Sequence, residues 1–232
     1  MNSCLTIIPA RLASTRFPRK VLADLDGKPM IEWCWRAAVR ARLGPVLVAV
    51  DSLEVAKTVR SFGGLAIMTP PSCPSGSDRV WWAAKNRTES VILNFQADMP
   101  LIKPATLRAA VSALDSHCDI ATAVIKITDP SRLQDRNVVK AVLTKDRRCL
   151  YFSRSDVSSW EHLGLYAYRR DSLKRFVRLS PSPLERLEKL EQLRALEAGM
   201  SIRAAIVREV PVAVDTPPDL RRAQTILRQG HS

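Results

Sequence analysis

Residues 46–68 read VLVAVDSLEVAKTVRSFGGLAIM, and this stretch decides the fold of the first half of the chain. The apolar runs Val46–Val50 and Leu65–Met68 have the length of short buried strands. Between them, Asp51-Ser52 begins a helix that ends before the pair Gly63-Gly64. A strand, a helix and a second strand at this spacing predict a βαβ unit with parallel strands.

The same alternation continues on both sides of this unit. Leu5–Ile8 and Val91–Phe95 are further candidates for buried strands, and Met30–Arg42 and the segment around Val80 have helical spacing of apolar residues. We therefore predict an α/β fold with a mostly parallel sheet.

The second half of the chain is richer in predicted strands. They are expected at Ile120–Ile127, Val138–Thr144, Cys149–Ser153, Leu163–Tyr168 and Ile202–Val207. Because short turns separate most of them, we predict a β-rich, mixed or antiparallel extension of the sheet at about residues 120–180. No low-complexity linker divides the chain, so a single domain over residues 1–232 is expected.

Two helices are predicted near the end of the chain. Ser182-Pro183-Leu184-Glu185 has the pattern of a capping box with proline at the first helical position. Leucines follow at every third position, which predicts one helix with an apolar stripe that ends at Gly199: they are Leu184, Leu187, Leu190, Leu193 and Leu196. Thr216–Asp219 caps the last helix.

Composition limits the class of protein. Of the 232 residues, 46% are hydrophobic and 25% are charged, which is typical of a globular protein. The formal net charge of +13 favours a nucleic acid, an anionic surface or a phosphorylated substrate as partner, with a basic solubilising surface as the alternative. No run of five or six basic residues occurs, so a nucleic-acid-binding tail is not expected.

Several other classes lose support from the sequence. The five cysteines form no C-x-x-C pair and the chain has three histidines, so neither a disulfide framework nor a zinc site is expected. Neither the G-x-G-x-x-G nor the Walker pattern is present. The first residues do not resemble a signal peptide, and no apolar run approaches the roughly 20 residues of a membrane span. A reduced, cytoplasmic protein is expected.

Candidate site residues follow the predicted strands, where open α/β sheets bind ligands. The loop after the first strand, residues 9–20, holds four cations and two hydroxyl groups without a glycine. Arginine forks and a lysine charge can bind phosphates there. A solvated basic turn is the alternative interpretation.

A second cluster ends the strand Val91–Phe95. Strand alternation places Asn94, Gln96 and Asp98 on one face, and buried polar side chains need partners. Asp98 can hold Mg²⁺ while Gln96 contacts a substrate. An aspartate that caps the turn before Pro100 is the alternative.

Three further residues are candidates for the site. Asp215 is either a capping group of the last helix or a second carboxylate for a metal. Ser75 begins a helix whose backbone N–H groups can bind an anion. His162 lies on a predicted strand and is either a structural residue or a ligand contact.

Ten short segments run in order from the first predicted strand to the last helix and cover nearly the whole chain: IIPAR (7–11), STRFP (14–18) with Lys20, GKPMI (27–31), SGSDR (75–79), NFQAD (94–98), YFSR (151–154), HLGLY (162–166), PSPLE (181–185), LEQLR (190–194) and VDTP (214–217). As an ordered set, these segments resemble the 3-deoxy-manno-octulosonate cytidylyltransferase (CMP-Kdo synthetase) family.

This resemblance implies a Rossmann-like nucleotidyltransferase fold of the GT-A type. It implies transfer of CMP from CTP to 3-deoxy-D-manno-octulosonate (Kdo) with release of pyrophosphate, for lipopolysaccharide biosynthesis. The roles it implies are catalysis by Arg11, Lys20 and Asp98; nucleotide binding by Ala10, Arg11, Ser14, Arg16, Lys20 and Ser75; sugar binding by Arg79, Gln96, His162 and Glu191; and Mg²⁺ binding by Asp98 and Asp215.

The resemblance also implies a cytoplasmic homodimer with the region at about 120–180 near its interface, and neither a membrane nor a nucleic acid as partner. Some residues depart from the family pattern. Arg19 stands where glycine is common, Glu161 stands where a basic residue is common, and Ser155–Glu161 is shorter than the usual segment. Two alternatives therefore stay open: an amino-Kdo or another ulosonic acid as substrate, and a non-catalytic nucleotide- or RNA-binding relative.

Overall fold

The chain folds into two compact units in a computed structural model, which describes residues 3–14, 16–208 and 211–229. The first unit comprises residues 1–89, 94–107 and 210–232, and the second comprises residues 90–93 and 108–209. The β-rich region predicted at about 120–180 belongs to the second unit. The expectation of a single domain stays a prediction.

The strands are β1 (Cys4–Ala10), β2 (Asp24–Leu25), β3 (Lys28–Pro29), β4 (Val46–Val50), β5 (Leu65–Met68), β6 (Val91–Asn94), β7 (Ile120–Lys126), β8 (Lys140–Leu143), β9 (Cys149–Ser153), β10 (Trp160–Arg169) and β11 (Ile202–Val207). The helices are α1 (Met30–Ala41), α2 (Leu53–Ser61), α3 (Gly76–Ala84), α4 (Pro104–Ser112), α5 (Pro130–Gln134), α6 (Arg170–Phe176), α7 (Pro183–Glu188), α8 (Gln192–Glu197) and α9 (Pro217–Gln229), and Lys20–Leu22 forms a 3₁₀ turn. Across residues 3–14, 16–208 and 211–229, no helix has the length and apolar character that crossing a bilayer requires.

A parallel sheet organises the first unit. β1 pairs with β4, where Ile8 lies opposite Val48, and β4 pairs with β5, where Val48 lies opposite Ala66. Every residue of β1 and β4 is buried, as expected of parallel strands covered on both faces. Helices α1 and α3 pack against β1, and α2 packs against β4 and β5. The βαβ unit predicted for residues 46–68 is confirmed.

A mixed sheet organises the second unit. β7 pairs in parallel with β11 and antiparallel with β10. β10 pairs antiparallel with β8, which pairs antiparallel with β9. The prediction of a mixed, β-rich second half is confirmed, although β10 begins three residues earlier than expected, at Trp160.

The prediction of one long helix after Ser182 is wrong. The capping box forms, with Ser182 and Glu185 bonding each other's backbone, but α7 ends at Glu188 because Lys189 adopts a left-handed conformation with φ 57°. Leucines three residues apart drift by about 60° per step around a helix of 3.6 residues per turn, so five of them cannot share one face. Accordingly, Leu187 is 75% exposed while Leu193 is fully buried.

Gly44 is a position where only glycine fits, and it provides a test of the fold. Its φ is +143°, and an added Cβ would lie 2.0 Å from the carbonyl oxygen of Cys4. We expect Gly44→Ala to lower the free energy of unfolding by more than the roughly 1–2 kcal/mol that a left-handed conformation alone costs. Denaturant unfolding measures this change.

Gly27→Ala is the matched control, because Gly27 has φ +76° and open space around its Cβ position. If the Gly44→Ala protein were as stable as the Gly27→Ala protein, this result would contradict the close approach of Gly44 to the carbonyl oxygen of Cys4.

Candidate active site

A pocket of about 430 Å³ lies in the first unit, beyond the carboxyl ends of β1 and β4. All of its lining residues belong to this unit: Pro9, Arg11, Ala13, Ser14, Arg16, Lys20, Val21, Asp51, Pro71, Cys73, Pro74, Ser75, Gly76, Arg79, Gln96, Ala97, Asp98 and Asp215. Most of the residues expected to bind phosphate, metal or nucleotide are therefore brought together. Ala10 is buried at the end of β1 and is not among these lining residues, and Thr15 lies outside the described residues.

Cations line one side of this pocket. Lys20 Nζ lies 2.9 Å from Asp215 Oδ1, and Arg16 Nη2 lies 3.0 Å from Asp215 Oδ2. Arg11 is exposed and forms no hydrogen bond or ion pair with any other residue that the structure describes. The pocket thus presents one cation that needs no internal rearrangement to meet a phosphate.

Two carboxylates, Asp98 and Asp215, line the same pocket. Burial raises the pKa of Asp98, the positive charge of Lys20 opposes that rise, and the negative charge of Asp215 adds to it. Asp98 and Asp215 are therefore close enough to repel each other. A divalent cation between them would remove this repulsion, so the oxygen donors fit Mg²⁺.

The described residues contain no cluster of three or more histidine, cysteine, aspartate or glutamate side chains able to hold a metal. A cation held by Asp98 and Asp215 would therefore complete its coordination with water and substrate phosphate, which is the usual situation of Mg²⁺ in phosphoryl-transfer sites.

Asp215 is not needed as the cap of α9. The carboxylate of Asp219 accepts hydrogen bonds from the backbone N–H groups of Asp215 and Thr216, and from the Thr216 hydroxyl. The Asp215 side chain is thereby left to face Lys20 and Arg16. Val214 also donates its N–H to the carbonyl oxygen of Asp98, at 2.8 Å, which holds the segments of the two carboxylates side by side.

Ser75 caps α3 at the pocket wall. Its Oγ accepts a hydrogen bond from Asp78 N at 3.2 Å and donates one to Asp78 Oδ2 at 2.7 Å. Gly76, the first residue of α3, also lines the pocket, and a Cβ there would lie 3.4 Å from Gln96 Nε2. The helix therefore starts at the pocket wall, as the anion-binding interpretation of Ser75 requires.

The polar face predicted for Asn94, Gln96 and Asp98 forms only in part. Gln96 and Asp98 line the pocket, whereas Asn94 is buried and accepts a 2.8 Å hydrogen bond from Gln96 Nε2. Asn94 therefore orients Gln96 instead of facing a ligand.

Asp51 is a pocket residue that the sequence interpretation missed. Its Oδ1 accepts a hydrogen bond from Leu12 N at 3.0 Å, and its Oδ2 lies 3.1 Å from Arg79 Nη2. The sequence explained Asp51-Ser52 as a helix start, and Ser52 does cap α2. The signal that could have found Asp51 is its place directly after a buried parallel strand.

The other two predicted sugar contacts, His162 and Glu191, belong to the second unit. His162 is buried with its Nε2 2.9 Å from Thr122 Oγ1, and it stacks edge-on against Phe152. The Thr122 hydroxyl gives its one hydrogen to Leu165 O, so His162 donates from Nε2. Burial lowers the pKa of His162 to about 3, and the ring is therefore neutral near pH 7.

Glu161 precedes His162 and has a partner of its own. Arg132 Nε donates to Glu161 Oε2 at 3.0 Å, and the Arg132 guanidinium also contacts Oε1. The unusual negative charge at this position is thus neutralised within the second unit.

Comparison with known proteins shows the class to which this fold and pocket belong. Residues 5–202 match the cytidylyltransferase family model. A solved structure of CMP:2-keto-3-deoxy-manno-octonic acid synthetase complexed with CTP superposes with a TM-score of 0.94 at 34% identity, covering 98% of this chain and 99% of that one. A Methanothermobacter nucleotidyl transferase shares the fold, with a TM-score of 0.67 at 18% identity. The fold is therefore that of a nucleotidyltransferase, as predicted.

Curated relatives narrow the class to one family. The 3-deoxy-manno-octulosonate cytidylyltransferase of Methylobacterium radiotolerans is 50% identical over 98% of both chains. That of Paramagnetospirillum magneticum is 48% identical over 97% of both chains. The chain belongs to the 3-deoxy-manno-octulosonate cytidylyltransferase family, which confirms the resemblance found in the sequence.

The raised pKa of Asp98 predicts a gain in stability for Asp98→Asn, in protein free of divalent cations. The folded protein binds the Asp98 proton more tightly than the unfolded chain does, so the charged form costs stability once the pH exceeds the folded pKa. We expect Asp98→Asn to raise the free energy of unfolding at pH 7. This gain should vanish below the unfolded pKa of about 3.9, where both side chains are neutral. Denaturant unfolding over a pH series measures it.

Asp129→Asn is the control, and its expected effect on the free energy of unfolding has the opposite sign. Hydrogen bonds from Ser131 lower the pKa of Asp129, so the charged form of this side chain stabilises the folded protein. This variant should lose stability at pH 7 and recover it as the pH falls below the folded pKa of Asp129. An Asp98→Asn protein that is less stable than wild type at pH 7 would contradict the burial cost.

Proposed function

We propose that this protein transfers CMP from CTP to Kdo, yielding CMP-Kdo and pyrophosphate. The observation that carries this proposal is the meeting of Arg11, Lys20, Asp98 and Asp215 in one pocket of a chain about half identical to cytidylyltransferases of this specificity. The solved relative complexed with CTP supports the choice of nucleotide.

The cations of the pocket would bind the triphosphate. Arg11 can meet a phosphate without losing a partner, while Lys20 and Arg16 would exchange Asp215 for phosphate oxygens. Phosphoryl-group transfer depends mainly on positioning and on neutralising charge in the transition state. Positive side chains fixed around the α-phosphorus would supply both.

We propose Mg²⁺ as the cofactor, held by Asp98 and Asp215. When bound, it would neutralise charge on the phosphate oxygens and acidify the attacking sugar hydroxyl. In the protein alone, Asp215 pairs with both Lys20 and Arg16. Entry of the triphosphate would occupy these cations and leave the two carboxylates as the ligand pair.

The sugar acid would attack with its anomeric hydroxyl in line with the departing pyrophosphate. We propose Arg79, Gln96, His162 and Glu191 as its contacts. A neutral His162 would act through hydrogen bonds and not through charge. Arg132 neutralises Glu161, so this residue would not repel the carboxylate of Kdo.

We further propose a cytoplasmic homodimer that serves lipopolysaccharide biosynthesis. CTP is available in the cytoplasm, and the free cysteines, four of them buried, suit a reducing compartment. The family relationship supports the dimer and the pathway, and the region at about 120–180 is the part that we propose to lie near the dimer interface.

Pyrophosphate release tests the proposed reaction. Purified protein with Mg²⁺ is given each of the four nucleoside triphosphates, with and without Kdo, and release is expected only with CTP and Kdo together. Activity with another ulosonic acid but not with Kdo would show that the other acid, and not Kdo, is the substrate. Binding of CTP without any release of pyrophosphate would favour the non-catalytic alternative.

Omission of Mg²⁺ should abolish the release of pyrophosphate. Activity that persists in the presence of a chelator would contradict Mg²⁺ as the cofactor.

Arg11→Gln should lower kcat/KM for CTP by about 10²-fold, the usual loss when one charge-stabilising donor is removed. Asp98→Asn should remove most turnover while the protein stays folded. Lys57→Gln, which removes an exposed cation from α2, is the matched control and should leave turnover unchanged. Steady-state pyrophosphate release measures all three, and wild-type turnover in Asp98→Asn would contradict the role of Asp98.

A further inference from the structure

Asp51 is a carboxylate in a pocket that we propose to bind a polyanion. Only 13% of its side chain is exposed, and it directly follows the last residue of β4. A negative charge at this place repels phosphates, and helix capping does not require it because Ser52 caps α2. Its presence in the pocket wall therefore calls for another explanation.

The contacts of Asp51 connect two parts of the pocket. One carboxylate oxygen accepts the N–H of Leu12, the neighbour of Arg11 in the loop after β1. The other oxygen pairs with Arg79, whose side chain is 5% exposed. A single side chain thus holds both the proposed phosphate loop and a proposed sugar contact.

Arg79 is held from a second direction by Thr69. Its Nη1 donates to Thr69 Oγ1 at 2.5 Å. Val50 lies opposite Met68 in the parallel pair β4–β5, so Asp51 and Thr69 leave the sheet side by side. Two adjacent strand ends therefore fix the planar guanidinium of Arg79 in one orientation.

We propose that Asp51 is a positioning residue that sets the loop of Arg11 through Leu12 and, together with Thr69, aims Arg79 at the sugar acid. Arg79 neutralises the Asp51 charge, so the carboxylate serves as a double acceptor without repelling the triphosphate. This inference rests on the proposed function for the identity of the two ligands.

A purely electrostatic role and a positioning role of Asp51 predict opposite changes in CTP affinity for Asp51→Ala. If Asp51 acts only through its charge, removing it tightens CTP binding to the pocket. If it positions the loop, Asp51→Ala leaves Leu12 N unpaired and weakens CTP binding by about tenfold or more, even though the substitution leaves the positive charge of Arg79 unneutralised. Calorimetry of CTP binding, without turnover, measures the dissociation constant. A variant that binds CTP as tightly as wild type overturns the proposal.

Asp51→Asn separates the two contacts and covers the case in which Asp51→Ala fails to fold. Asparagine keeps one acceptor oxygen for Leu12 N but offers an amide NH₂ group to Arg79, which cannot accept from the guanidinium. We expect CTP affinity within about threefold of wild type, and KM for Kdo raised about tenfold. Unchanged KM for Kdo overturns the role of Asp51 in aiming Arg79.

Thr69→Val removes the second partner of Arg79 without a change of charge and without touching Leu12. KM for Kdo should rise while the dissociation constant of CTP stays the same, a split that a general loss of stability would not produce. Glu89→Gln weakens the ion pair with Arg87 in the same unit, outside the pocket lining, and is the matched control expected to change neither constant. Thermal unfolding of each variant confirms that it is folded.

Failure of the proposed function gives a different result from failure of this inference. A wild-type protein that binds CTP but releases no pyrophosphate refutes the reaction, while the Asp51→Ala calorimetry still decides the role of Asp51 toward Leu12. A wild-type protein that binds no CTP overturns both.

Discussion

The ion pair between Lys20 and Asp215 joins residues 195 positions apart, and the pocket depends on it. Lys20 is 15% exposed, so its ammonium group would be costly to bury without a partner. Asp215 supplies that partner from the segment before α9. The hydrogen bond from Val214 N to Asp98 O then fixes the same segment beside Asp98. Three parts of the chain thereby meet around one set of charges.

Internal pairing of opposite charges is the second general property of the pocket. Asp215 pairs with both Lys20 and Arg16, and Arg79 neutralises Asp51. A wall of unpaired cations would repel itself and destabilise the fold, and paired charges avoid this cost. In the proposed reaction, ligand binding would exchange partners between groups that are already in place, so little reorganisation would be needed when charge develops on the phosphate.

The sequence alone was sufficient to predict features that depend on a single local pattern. Buried strands such as Val46–Val50 follow from their apolar runs, and the pocket cations follow from their place after a strand. Asp51 was missed because its neighbour Ser52 already explained the helix start. In addition, nothing in the local sequence shows that Leu12 and Arg79 both contact the Asp51 carboxylate. Pairing of this kind depends on the register of β4 against β5, which only the three-dimensional structure reveals.

The long helix predicted after Ser182 failed for a different reason. A three-residue spacing of leucines resembles helical periodicity over a short window and departs from it over a longer one. His162 lies between these cases: its strand was predicted, but its burial against Phe152 and its bond to Thr122 depend on neighbouring strands.

Arg19 adopts φ 58°, a left-handed conformation, at the position where the sequence resemblance led us to expect glycine. Such a conformation costs a residue with a side chain about 1–2 kcal/mol, and the exposed contact with Glu54 returns little of this. The bend before Lys20 is therefore formed at the expense of stability. Arg19 thus keeps the left-handed backbone that glycine adopts most easily, and a motif written in letters alone would count this position as a mismatch.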